Sequence, residues 1–340
     1  FVDLWVVDVA ANGKTGEPRP FAKEINSQFH EGPIVFNTSG DRVYLTRSDV
    51  AGKGHRGFDD KKNTRLKIYS ATRIEDKWVM EPELSINSSK FSTCHPALSL
   101  TEDTLVFSSD RPGGYGGMDL WFAVKEGKDW SSPSNLGPEV NTAGNEVFPT
   151  MDAKGTLYFS TDFMVGYGGL DIFRTSKHGQ EWGSPENLGA PINSSLDDYG
   201  LIVAKDHLHG HFSSNRSGSG DDIYSYLDMA KLAIPVLVLD CETGLPLSDV
   251  DVLVEGAENL VVHVDAHGEA QIPVKAGRDY HLSAYGTDYF GSGKCENTAK
   301  VHIPSKGNEL LPAVVLRLSR NNPCCFKLQD PDHEGNKLFR

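Results

Sequence analysis

Two glycine-rich loops raise the first chemical question. Gly113-Gly114-Tyr115-Gly116-Gly117 and Gly166-Tyr167-Gly168-Gly169 each line up consecutive backbone amides that an anion could use, and each is followed by an aspartate, Asp119 or Asp171. A phosphate cradle needs such a loop to run from a strand into a helix whose N-terminus faces the anion. Both loops run instead into an aspartate-aliphatic-aromatic triplet of strand character, and no Gly-Lys-Ser/Thr ending follows. Nucleotide binding is disfavoured on that ground. The glycines are expected to supply positive φ or close backbone approach. Tyr115 and Tyr167 are left as the candidate interaction residues.

Asp119, Asp171 and Asp222 occupy one position in a repeating pattern. A catalytic acid rarely recurs at equal spacing, whereas a carboxylate that caps turn amides does so naturally. His207, His209 and His211 could share one face of an extended strand. The repeat places His207 in a turn, and the two remaining imidazoles do not close a zinc site. The five cysteines match no zinc ribbon or redox CxxC spacing; one disulfide, such as Cys241 to Cys295, would suit an oxidising compartment. No catalytic residue, cofactor site or metal site is therefore expected, and the chain is read as not an enzyme.

The elements that would position these residues follow from the repeat. The aromatic that closes each triplet falls at Trp5, Tyr69, Trp121, Phe173 and Tyr224, in steps of 64, 52, 52 and 51 residues. A polar insertion at residues 51–65 accounts for the long first step. Each unit holds four short apolar or alternating runs separated by Gly- and Asp-rich turns, which predicts a four-stranded antiparallel sheet. One such sheet cannot bury both faces, but several arranged around an axis can. The expected fold is thus an all-β, five-bladed β-propeller of four-stranded blades over residues 1–228, lacking its first strands, followed by a small β-sandwich over 229–320 and a tail or linker over 321–340. Asp119, Trp121, Asp171, Phe173, Asp222 and Tyr224 are read as structural residues of the blades. Trp130 and Trp182 are read as apolar wedges between them.

The formal charge of -14 argues against nucleic acid, which calls for basic stripes. No run of eighteen apolar residues is present to span a bilayer as a helix.

Residues 95–123, HPALSLTEDTLVFSSDRPGGYGGMDLWFA, resemble the PD40 or WD40-like propeller repeat of TolB-type proteins. The W-x-x-P-x-N-L-G motif at Trp130, Pro133, Asn135, Leu136 and Gly137 recurs at Trp182, Pro185, Asn187, Leu188 and Gly189. With it, the repeat is similar to those of OmpA-family proteins of Bacteroidota. Residues 235–318 resemble a carboxypeptidase regulatory-like domain through Asp240, Thr243, Gly244, Pro246 and Leu247. The pair together resembles the central part of PorE-type OmpA-family lipoproteins of type IX secretion. The resemblance implies a periplasmic, outer-membrane-associated scaffold that docks envelope or secretion-complex proteins through propeller loops. Peptidoglycan association would come through an OmpA-like domain absent from this sequence. Two further readings stay open: a carbohydrate- or peptidoglycan-binding module, and a glycoside hydrolase or lyase on a propeller fold.

Overall fold

The computed structural model describes residues 3–8, 15–51, 55–56, 64–179, 181–205, 207–218, 220–228, 232–256, 258–290, 295–304 and 311–320. Most of the insertion after Ala51 and the tail with Cys324 and Cys325 lie outside the described residues. Within them the protein is all-β, and no helix is long and apolar enough to cross a membrane. The chain divides into two compact units, Phe1–Leu227 and Asp228–Arg340.

The first unit contains four antiparallel sheets in succession. The first consists of Glu31–Phe36, Arg42–Ser48, Leu66–Ile74 and Lys77–Met80. The second has Thr93–Leu98, Thr104–Ser109 and Asp119–Glu126, with the short segments Asp129–Trp130 and Ser134–Asn135 both pairing its third strand. The third has Glu146–Met151, Leu157–Thr161, Asp171–Thr175 and Glu186–Asn187. The fourth stops at three strands, Asp198–Val203, His209–Ser214 and Asp222–Leu227. A two-stranded ladder of Trp5–Val6 with Arg19–Pro20 carries the first triplet. The expectation of four strands in every sheet is thus corrected: the second sheet's edge breaks into two short pieces, and the fourth has no outer strand among the described residues. The first strands of the four sheets touch in order.

Apolar side chains fill the seams between these sheets. Tyr44 and Ile68 of the first sheet pack with Leu105, Phe107, Trp121 and Trp130 of the second. Val106 and Leu120 of the second pack with Leu157, Phe159 and Phe173 of the third. Phe107, Phe159 and Leu120 are all at most 1% exposed, so each contributes roughly 1.5–3 kcal/mol of burial.

An asparagine clasp, repeated four times among the described residues, ties each of the first four triplets to the chain that follows it. Asn141 Oδ1 accepts the Leu120 N–H at 2.7 Å while its Nδ2 donates to the Leu120 carbonyl at 2.9 Å. Asn26 holds Leu4 in the same way, Asn87 holds Ile68 and Asn193 holds Ile172. One side-chain amide thereby supplies both the donor and the acceptor that a neighbouring strand would offer, so the buried backbone of the triplet is satisfied. Ile223, the corresponding residue of the fourth sheet, is 78% exposed.

The second unit has two four-stranded sheets. Ala233–Asp240 alternates half-buried and buried residues, as a strand with one covered face must. It pairs antiparallel with Glu269–Pro273 and parallel with Val314–Arg320, a parallel pair that the alternation alone did not specify. The other sheet runs Leu260–His263, Asp251–Glu255, Asp279–Tyr285, Thr298–His302 and buries Val252, Val254, Leu282 and Ala284. Cys241 and Cys295 are joined in a disulfide, and Cys94 is buried and free.

Candidate functional site

The aspartate of each glycine-rich loop folds back on the loop. Asp119 Oδ2 accepts the Tyr115 N–H at 2.6 Å and the Asn135 amide at 2.8 Å, and Oδ1 accepts the Gly116 N–H at 3.0 Å. Asp171 receives the N–H groups of Tyr167 and Gly168 in the same way. Both carboxylates are 1% exposed, and the amides of Tyr115, Gly116, Tyr167 and Gly168 that they occupy are not open to a phosphate. The glycines have steric roles. A Cβ on Gly114 would stand 2.5 Å from Asp119 Oδ2, and one on Gly116 would stand 2.4 Å from the carbonyl of Gly144. Gly117 N–H in turn donates to Gly144 O, and Glu146 N–H to Met118 O, which binds the loop of one sheet to the start of the next.

This pinning leaves a rim of outward side chains. Tyr115 is 52% exposed and Tyr167 57%. Around Tyr167 stand Phe163 at 61% and Val165 at 95%, with Leu196 on the loop against which Gly168 packs. The third repeat is distinctive here. In the second, Arg111 follows Ser-Ser-Asp and lays its guanidinium over Trp121 and Phe107; in the fourth, Arg216 does the same over Tyr224 and Phe212. Burial lowers the Arg111 guanidinium to about 10. At this position the third repeat has Phe163, which turns outward.

The remaining sequence-derived residues are dispersed. Trp121, Phe173 and Trp130 are buried, and Tyr224 stacks on Phe212 at 5.7 Å. Asp222 is exposed and accepts from Ser217 Oγ. His207 sits at a positive φ of 56° facing Asp152 at 3.4 Å, while His209 and His211 lie on a strand. Asp206 beside them lies outside the described residues. No cluster of three or more metal-ligating side chains occurs among the described residues. Burial raises the Glu146 carboxyl above the usual range, but its oxygens are taken by Thr142 and Thr161.

Sequence reasoning missed two features. The first is a column along the first strands, where His95 stacks on Phe148 at 4.0 Å and Phe148 lies 4.6 Å from Tyr199. His95 and Phe148 both have positive φ, 54° and 52°, each one residue before a proline. His95 Nδ1 accepts the Phe148 N–H, and burial drives the imidazole down to about 3, so it stays neutral. The X-Pro dipeptide at the same step of both repeats was the available signal.

The second is a cleft of about 320 Å³ between the second and third sheets, bordered by Ser99, Asp103, Phe122, Lys154, Lys177 and Trp182. It exists because the two seams differ. Tyr44 pairs across from Ser70 and lies two residues before Thr46, which faces the clasped Ile68; Val106 holds that place in the second sheet, where Ser108 faces the clasped Leu120. Tyr44 meets Trp130 edge-on at 5.8 Å and closes its seam, whereas Val106 is too short to close the next. Trp182, expected to be a wedge, is only half-buried there.

No family model and no curated protein matches the sequence. Among solved structures the chain is remotely similar to TolB from Acinetobacter baumannii, at 11% identity and TM-score 0.40, over 79% of this chain and 59% of that one. A puromycin-hydrolyzing peptidase from Mycobacterium tuberculosis gives 13% and 0.36, over 78% and 45%. An alpha-L-arabinofuranosidase from Lactobacillus brevis gives 12% and 0.33, over 53% and 63%. The chain therefore spans less than two thirds of each. The expectation that the chain is not an enzyme is corrected by this set: several of the structures it resembles are named as hydrolases. The sequence has no linear catalytic motif. Residues that converge from separate loops leave no such motif.

Proposed function

We propose that the first unit is a recognition module, read as a five-bladed propeller whose loop rim docks a protein partner of the cell envelope. The observation that carries this reading is the third repeat's exchange of a stacked arginine for the outward Phe163, beside Val165, Tyr167 and Leu196. Exposed apolar residues grouped on loops held rigid by buried carboxylates suit a protein interface, because little ordering entropy is lost on docking. Aromatic anchors carry much of the energy at such surfaces. A periplasmic position at the outer membrane, in a secretion-linked complex, agrees with the OmpA-family resemblance of the repeats, and the second unit is read as the regulatory-like sandwich.

The test is a pull-down from envelope extract with the parent protein and an F163S/V165S/Y167A variant. A partner recovered by the parent should be reduced at least about tenfold with the variant, at an unchanged melting temperature. Equal recovery rejects the rim. A separate Y115A variant tests whether the contact extends to the second repeat.

The cleft supports a second reading, a saccharide-binding site. It is a concave site with half-buried aromatic rings and a few convergent polar groups, the usual form of a small-ligand pocket.

A further inference from the structure

The charges around the cleft specify its ligand more closely. The protein carries a formal -14, yet the side chains facing this space include two lysines and a single acid. Ion pairs engage Lys67 and Lys275, but neither Lys154 nor Lys177 has a carboxylate partner among the described residues. Lys177 Nζ stands 5.2 Å from the Trp182 ring centre and 5.8 Å from that of Phe122. Its ammonium is therefore held beside the two aromatic surfaces of the cleft. Lys154 comes from the turn between the first two strands of the third sheet.

Asp103 is the opposing charge. It accepts from Ser99 Oγ at 3.0 Å and Thr104 Oγ1 at 2.9 Å. Hydroxyl hydrogen bonds hold its carboxyl below the ordinary range. Both bonds fall on Oδ1 and tie that oxygen to the hairpin that presents it. The cleft thus offers two cations with no carboxylate partner among the described residues, one of them over the aromatic rings, together with hydroxyls, in a protein of net negative charge.

We propose that this cleft binds a saccharide that carries a carboxylate, with the sugar ring against Trp182 and the carboxylate drawn to Lys154 and Lys177. The proposal rests on the saccharide reading above and adds the charge of the ligand. A neutral sugar would leave Lys154 without a counter-charge and Lys177 with only its aromatic contacts. A simple carboxylate would leave the aromatic surface unused.

The experiment is calorimetric titration of the full chain with a glucuronic-acid oligomer and a neutral glucose oligomer of equal length, in 20 and 300 mM salt. The acidic oligomer should bind about tenfold tighter at low salt and lose most of that advantage at high salt. A K154Q/K177Q variant, altered at two exposed side chains, should melt as the parent does and bind both oligomers alike. Equal binding of the two oligomers by the parent, or a preference that survives in the variant, overturns the charge assignment and leaves the saccharide reading in place. Binding of neither oligomer overturns both.

Discussion

An Asn141→Asp variant is expected to lose roughly 2–4 kcal/mol of stability at pH 7. Asn141 is 2% exposed and makes three hydrogen bonds: it accepts from Leu120 N–H and donates to Leu120 O and to Asn135 Oδ1. Aspartate keeps the acceptor, loses both donors and sets a negative charge against two oxygen lone pairs. Nothing nearby repays that charge, so the new carboxyl would have its pKa raised in the folded state. A raised folded pKa means that the unfolded chain releases the proton first. The deficit should therefore be small near pH 4 and grow as pH rises through the folded value. Urea melts at pH 4.5 and 7 measure this directly. A loss under about 1 kcal/mol at pH 7 would show that the clasp is not what holds the triplet.

The second large effect belongs to the other unit. A C241S/C295S variant is expected to lose about 4 kcal/mol, because the bridge closes a loop of 54 residues in the unfolded chain. Its location adds to the entropic effect: Cys241 N–H donates to Leu318 O, and Arg317 N–H to Glu296 O, so both ends of the bridge are stitched to the final strand. All five tryptophans, at positions 5, 78, 121, 130 and 182, lie in the first unit. Indole fluorescence should consequently report an unmoved transition while far-ultraviolet dichroism shows a second, earlier one. A single transition at the parent midpoint would refute this.

Much of the architecture was legible because the repeat imposes its signal several times. A triplet with a buried aliphatic centre and an aromatic neighbour must lie on a covered strand, and Ile68, Leu120 and Ile172 are all fully buried. The outer edges were less legible, since a strand of two residues leaves almost no alternation to read. The clasp was present in the text as Ile25-Asn26-Ser27, Ile86-Asn87-Ser88, Val140-Asn141-Thr142 and Ile192-Asn193-Ser194. A polar residue between strands reads as loop, and only its hydrogen bonds reveal it as part of the sheet. The cleft could not be read at all, because it arises from the difference between Tyr44 and Val106, two ordinary core residues in separate repeats. Nor could activity be decided from single motifs, for any converging groups would be contributed by separate loops.

The bonds that join one glycine-rich loop to the start of the following sheet imply where the architecture can be cut and copied. Gly117 to Gly144, Met118 to Glu146 and Leu120 to Asn141 all run between the middle of one sheet and the approach to the next. A duplicated segment that keeps these bonds internal runs across residues 111–162, out of phase with the sheets, and carries the outer half of one with the inner half of its successor. A cut between these two sheets, before Asn141, would sever all three bonds, whereas a staggered cassette would carry them whole.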